Sequence, residues 1–435
     1  MSNIQTKTGI SILLAILLIC GLCTAGHAAQ KAVIATVSPD YESGAHAVAT
    51  VDPLGGPRDI QTKLAPTGSD ITVVAHGEYF YRLERSGANN ITKYHIDAPK
   101  TPVWPQSQYS TEGRDENSNP HDMVFVNSEK AYLLRYGSDT AWIVNPSAET
   151  ADAFKIGELD LSAYADTDGV PEMHSGVVVG NRLFITLQRV DYSGGFSDVE
   201  YNTPYVAVFD TTTNEEIDVR DCGCEMKGIE IPEITNLGAI QYLDVTDRIY
   251  VQGHGDYDQT EGAPMGGILS IDPDTYEADV ILTDDFSFYG AVTGMVVVSE
   301  TKGYFIGYAG WGDNTLYTFD PSCDTGCGIG PVPGFENISI AGMESGAYTD
   351  ENGMAWICVQ SPENPRVDIL NPADDTIDES LATELNPLKV AFTAGDADDN
   401  GDADNDDENG NNGNADPDDD NGGSSSSGCF IGVLK

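Results

Sequence analysis

Apolar and polar positions along this chain alternate in short bursts and never settle into a sustained helical period. From Ser118 to Pro146 the sequence reads SNPHDMVFVNSEKAYLLRYGSDTAWIVNP. Three apolar runs, DMVFVN, AYLLRY and TAWIVNP, are separated only by SEK and GSD. The runs are rich in β-branched and aromatic residues and the linkers in turn formers, which predicts an antiparallel meander of about 30 residues. A lone meander cannot bury both of its faces, so the chain must supply more of them.

The same grammar recurs in units that begin at Asp70, His174, Leu237, Ala291 and Glu344, with a shorter opening unit from Ala32. Each unit has a small-residue apolar strand, a polar turn, an aromatic-rich strand, a loop, and a strand ending in Asp-Pro, Asn-Pro or Asp-Thr. First strands return roughly every 50 to 64 residues. Repeated four-stranded meanders of this length predict an all-β, seven-bladed β-propeller over residues 29–394, because radial stacking covers both faces of every sheet. A pair of β-sandwiches or a β-solenoid is the competing all-β solution. The run LKVAFT from Leu388 is placed to close the ring against the N-terminal unit.

The phrases NPHDMVFVNSEKAYLLRYGSDTAWIVNP and GNRLFITLQRVD followed by YVAVFDTTTNE resemble the blades of YncE-like, YVTN-type seven-bladed propellers. The resemblance spans about residues 32 to 394, although the literal Tyr-Val-Thr-Asn core is absent. It implies the architecture and an exported protein, and it implies no particular activity.

Both ends differ from the body. Residues 1–28 carry Lys7, an apolar run from Ile10 to Leu22 and small residues before Ala29, the pattern of a cleaved secretory leader. Cys20 and Cys23 raise a lipoprotein alternative, but Ile19 and Leu22 are poor residues ahead of an acylated cysteine. The apolar run is too short for a comfortable membrane span, so no integral segment is expected in the mature chain. Residues 395–435 form an Asp/Asn/Gly/Ser-rich tail with no apolar residue larger than alanine or proline before Cys429, and disorder is expected there.

Charge narrows the partners. The chain has 70 acidic and 21 basic residues, a formal net charge of -49. Such a surface repels nucleic acid and anionic membranes. It also suits divalent cations, calcium in particular. In the tail, Asp396, Asp398, Asn400, Asp402, Asp404 and Asp407 fall in the register of a calcium loop with Gly401 at the turn. The flanking helices of such loops are missing, and a solvated, self-repelling spacer is the alternative.

Six cysteines follow the leader. An exported chain can oxidise them. Cys323 and Cys327 flank a short turn and suit a local bridge; Cys222 and Cys224 form a C-x-C pair, read as lying in a blade connection on the opposite face from the first pair. Soft-metal binding by the C-x-C thiolates is the alternative. Cys358, in the strand AWICVQ, reads as a buried small apolar residue.

Strand direction defines the face where a ligand would bind. In a four-stranded blade the loops between second and third strands emerge beside the blade-to-blade connections. The long insertions from Asp191 and His254 belong to that face, as do residues just ahead of the first strands. The expected ligand-binding ring is therefore Asp70, His121, Asp122, Glu172, His174, Asn236, His254, Asp256 and Glu344. Propeller lactonases hold a divalent cation at the channel mouth with Glu, Asn and Asp, and Glu172, Asn236, Glu344 and Asp122 would be the matching donors. No G-x-S-x-G or H-E-x-x-H motif occurs. The reading is an exported, non-enzymatic module that binds a protein or small-molecule ligand at the cell envelope or beyond it. A metal-dependent lactonase-like hydrolase and a structural surface component are its rivals.

Overall fold

The β-branched runs pair with their neighbours through tight turns, and the pairing builds seven four-stranded antiparallel sheets. The computed structural model describes residues 29–393 apart from 114–116, 196–197, 257–264, 311–312, 324–325 and 342–347. The expected leader and the acidic tail, with its calcium-loop residues and Cys429, lie outside the described residues.

The seven sheets are arranged as the blades of a propeller. The innermost strands are Asn386–Phe392 in blade 1, Ile71–His76 in blade 2, Pro120–Asn127 in blade 3 and Met173–Val179 in blade 4. Leu237–Leu243, Ala291–Ser299 and Ser339–Ile340 take that place in blades 5, 6 and 7. Blade 1 is composite: its inner strand comes from the C-terminal side and pairs with Lys31–Val37, Val390 opposite Ile34. The ring is thus closed by the run expected to close it. Helix is confined to Ala151–Phe154 and a single 3-10 turn at Ser162–Tyr164 among the described residues. No helix among them is long and apolar enough to cross a membrane.

The third-strand endings have a local cause. Asp210 Oδ1 accepts hydrogen bonds from the backbone N–H of Thr212 and Thr213, both at 2.8 Å. Asp272, Asp320, Asn371 and Asn145 cap their turns by the same device. Short acidic and amide side chains mimic a backbone turn, which is why Asp and Asn end these strands.

Among the described residues the core is divided into six apolar clusters. Apolar side chains fill wedges between neighbouring blades, such as Tyr132, Leu134, Met173 and Leu183 between blades 3 and 4. The wedge around Trp356 joins Ile306 of blade 6 to Ile34 of blade 1. Polar side chains staple the wedges near the axis, where inner strands have an unpaired edge. Asp122 Oδ2 accepts from Gly176 N across blades 3 and 4, and Asn314 Nδ2 donates to Ile340 O across blades 6 and 7.

Two expectations are corrected. The first strand of blade 7 is Ser339–Ile340, paired with Val359 and Gln360, earlier than the run from Glu344; Thr349 makes only an isolated bridge to Ala355. Cys222 and Cys224 are not in a blade-to-blade connection. They lie between the third strand Tyr205–Asp210 and the fourth strand Ile229–Glu230 of blade 4. Cys323 and Cys327 occupy the same kind of connection in blade 6, so both pairs emerge on one face. Each pair forms its own disulfide, which leaves the C-x-C thiolates unable to hold a soft metal. Cys358 is free and buried in its strand.

Candidate functional site

Blades 2 to 5 share one way of entering the inner strand. The residue before it accepts a hydrogen bond, through its carbonyl, from the N–H just past the second strand. The pairs are Arg85 to Asp70, Tyr136 to Asn119, Gln188 to Glu172 and His254 to Asn236. Asn119, Glu172 and Asn236 all adopt left-handed backbone there, with φ of 45°, 48° and 57°. Asparagine tolerates that conformation and glutamate does so less readily. The shared corner brings Arg85, Tyr136, Gln188 and His254 to equivalent positions at the mouth of the channel.

Two residues beyond the corner of blades 3 and 4 stand the histidines. His121 stacks on Tyr136, with ring centroids 4.3 Å apart, and meets His174 edge-on at 5.1 Å. Tyr136 donates from its hydroxyl to Gln188 Oε1 at 2.8 Å, and His174 Nδ1 lies 2.7 Å from Ser175 Oγ. Burial, followed by the charges of Arg85, His174 and Lys389, holds the His121 imidazole well below its usual range. Asp122 is pushed up by burial, against the opposing pull of Lys389 and of the Gly176 and Met123 N–H groups.

Below this cluster runs the channel. One cavity of 840 Å³ is walled by the inner strands of blades 1 to 4, with Val73, Val124, Phe125, Val177 and Phe392 on its sides and Asp122 and Lys389 in its lining. A second, of 280 Å³, opens at the mouth beside Arg85, Lys389, Asn314, Gln360 and Tyr308. Lys389 lines both.

The remaining ring residues fall into separate groups. Asp70 is bound to Arg85 at 2.7 Å. Asn236 Nδ2 donates to Gly255 O, and its Oδ1 is buried without a partner. His254 Nε2 faces Gly238, where an added Cβ would lie 3.2 Å from it. Asp256 follows His254 at the edge of the insertion and is partly exposed. Glu344 lies outside the described residues. Asp122 and Glu172 belong to different networks.

Glu172 is fully buried, and its carboxyl is pushed up to about 9 by burial, then by Asp168 and Asp166. Asp166 is itself raised to about 6, first by burial. Asp166, Asp168 and Asp191 bring their carboxylate oxygens within 4.8 Å of one another. Asp191 starts the hairpin Val190–Asp191 with Glu200–Tyr201, which projects from blade 4. Sequence reasoning placed Glu172 but missed Asp166 and Asp168, although Asp-Thr-Asp-Gly at 166–169 is itself an acidic turn signal. It also missed Arg85, Tyr136 and Lys389, which carry no local motif.

No protein-family model matches the chain, and no curated protein does. Solved structures do. A candidate 6-phosphogluconolactonase from Bacteroides fragilis aligns over 85% of this chain and 99% of its own, with a TM-score of 0.54 at 8% identity. The periplasmic gluconolactonase PpgL of Pseudomonas aeruginosa aligns over 84% and 99%, with a TM-score of 0.53 at 12% identity. Apo AztD from Citrobacter koseri covers 85% and 99%, with a TM-score of 0.46 at 14% identity. At such identities the likeness is one of fold. The chain's own sheet order defines the class: a seven-bladed β-propeller with a composite closing blade.

Proposed function

We propose that this propeller is an exported, non-enzymatic binding protein that holds a small organic anion with an apolar body in its channel. The observation that carries the reading is the two-part lining of the channel. Arg85 and Lys389 stand at its mouth, in a chain with only 21 basic residues against 70 acidic ones. Below them valines and phenylalanines form an apolar part of the wall, beside polar residues such as His76, Glu78 and Thr393. A concave apolar site with a few convergent polar groups is the usual form of a small-molecule pocket. His121, Tyr136 and His174 pack against one another at the entry of blades 3 and 4, with the His121 imidazole held well below its usual range by burial.

Export is supported by the leader pattern and by two disulfides, which persist in oxidising compartments. The YVTN-type resemblance of the blades agrees with an exported protein.

The test is calorimetric titration of the full chain with hexanoate and, separately, hexanol. Hexanoate is expected to bind about tenfold more tightly than hexanol, a difference of about 1.4 kcal/mol, and the preference should vanish in Lys389→Met. Equal binding of both probes, or of neither, would overturn the reading. Catalysed opening of glucono-δ-lactone, lost in His121→Phe, would replace it with the hydrolase.

A further inference from the structure

We infer that Asp166, Asp168 and Asp191, backed by the buried carboxyl of Glu172, form a calcium site that ties the entry of blade 4 to the hairpin projecting from it. Three carboxylates from two chain segments converge with oxygens within 4.8 Å, the span of two calcium–oxygen bonds of about 2.4 Å. Glu172 lies outside that 4.8 Å group and has no exposed surface. Its Oε2 accepts from Val190 N at 3.1 Å, next to Asp191, while its Oε1 has no hydrogen-bond partner. A buried carboxylate oxygen without a partner, beside three more acids, is the arrangement that a dication compensates.

The surroundings hold the donors in place without neutralising them. Asp168 Oδ1 accepts from Val170 N and its Oδ2 from Tyr192 N, both at 3.1 Å. Asp166 Oδ2 accepts from Asn202 Nδ2 at 3.2 Å, and Asp191 Oδ1 from Ser193 N at 2.7 Å. The adjacent Arg189 is committed elsewhere, donating to Tyr164 O and Thr203 O. Among the described residues no lysine or arginine pairs with any of the four acids. An all-oxygen set, with no histidine or thiolate, selects calcium over zinc or copper.

The equivalent corners of blades 3 and 5 sharpen the assignment. There Asn119 and Asn236 occupy the place of Glu172, with the same left-handed backbone. Asparagine suits the corner better, so a glutamate at this one blade points to a task for its carboxylate.

The corner also supplies a variant whose side chain suits the left-handed backbone. Calcium is titrated into the full chain by calorimetry, comparing wild type with Glu172→Asn and Asp168→Asn. One site with a dissociation constant of about 10 µM is expected in wild type, within the range of carboxylate-rich calcium sites. Both variants should weaken it at least 30-fold, while any binding by the tail persists in all three proteins. Hydrogen exchange on wild type reads the same site without mutation: amides of residues 166–172, 190–195 and 198–202 should slow when calcium is added. Calcium binding unchanged by both substitutions, or exchange in these segments indifferent to calcium, overturns the assignment.

Discussion

Arg82 donates from Nη1 to the Nδ1 of His46 at 3.3 Å, inside the wedge between blades 1 and 2. The other ring nitrogen must therefore carry the proton, and Nε2 donates to Pro99 O at 2.7 Å. Phe80 and Tyr94 flank the ring, each with its centroid 4.9 Å away. Protonating Nδ1 would remove an acceptor and set two cations together in an apolar wedge.

An acid-labile fold follows. Burial, then Arg82, lowers the His46 pKa to about 4, below the roughly 6.5 of an unfolded histidine. Between those values the unfolded chain binds more protons, so this stability is fully present above pH 6.5 and is lost as pH falls towards 4. About 2 kcal/mol should disappear between pH 7 and 4.5 through this residue alone. His46→Gln, uncharged throughout, should lose less over the same interval. Urea unfolding at the two pH values measures the difference, and parallel losses would show that His46 does not titrate as argued.

Gln241 joins blades 5 and 6 through both ends of its carboxamide. Its Nε2 donates to Val297 O at 2.8 Å, and its Oε1 accepts from Val297 N at 2.9 Å. Gln241→Leu leaves both backbone groups buried and unpaired, which should cost about 2 to 3 kcal/mol. The urea midpoint should fall with an unchanged slope, because the exposed surface on unfolding stays the same.

What the sequence disclosed and what it concealed have distinct physical causes. Strand runs such as Lys130–Arg135 and the Asp210 or Asp272 turns are set by neighbours within a few residues, so periodicity and turn chemistry suffice. Blade 7 misled because its inner strand Ser339–Ile340 is short, and the run after Glu344 reads as a better strand than the one that pairs. Cys222 was placed on the wrong face because the fourth strand of blade 4, Ile229–Glu230, spans only two residues and leaves little trace in the pattern. At the site, His121 and His174 were visible as polar residues entering inner strands. Lys389 was not, because it reaches the channel only when the C-terminal run becomes the inner strand of the first blade. Asp166 and Asp168 were hidden for a similar reason: their partner Asp191 belongs to a hairpin that folds back to them.

Arg58 clasps the closing blade to its neighbour, blade 7. Its buried guanidinium reaches Asp378 at 3.0 Å and Glu379 at 2.9 Å from Nη1, and its Nε donates to Val51 O at 2.6 Å. The guanidinium is wholly buried while Asp378 and Glu379 stay 22% and 19% exposed, so Arg58→Met should cost about 2 kcal/mol, less than breaking a fully buried pair. Arg58→Lys should recover less than half of that, because an ammonium cannot reproduce the planar fork that meets the carboxylates and the carbonyl together. Denaturant melts in low and high salt should show nearly the same loss, since a partly buried pair is weakly screened.

Asp122 and Lys389 line the same cavity, and the lysine's charge reaches the carboxyl. If an anionic ligand is held by Lys389, Asp122 is its internal competitor. The two substitutions should therefore act in opposite directions. Lys389→Met should weaken hexanoate binding about tenfold, while Asp122→Asn should tighten it by a similar factor. Asparagine retains an acceptor for one of the Gly176 and Met123 N–H groups but turns an amide donor towards the other, at about 1 kcal/mol of stability. Binding that weakens in both variants would mean that the pair shapes the channel rather than reading charge. Opposite signs would locate recognition at Lys389, because no general loosening of the fold can improve affinity at one residue and reduce it at its neighbour.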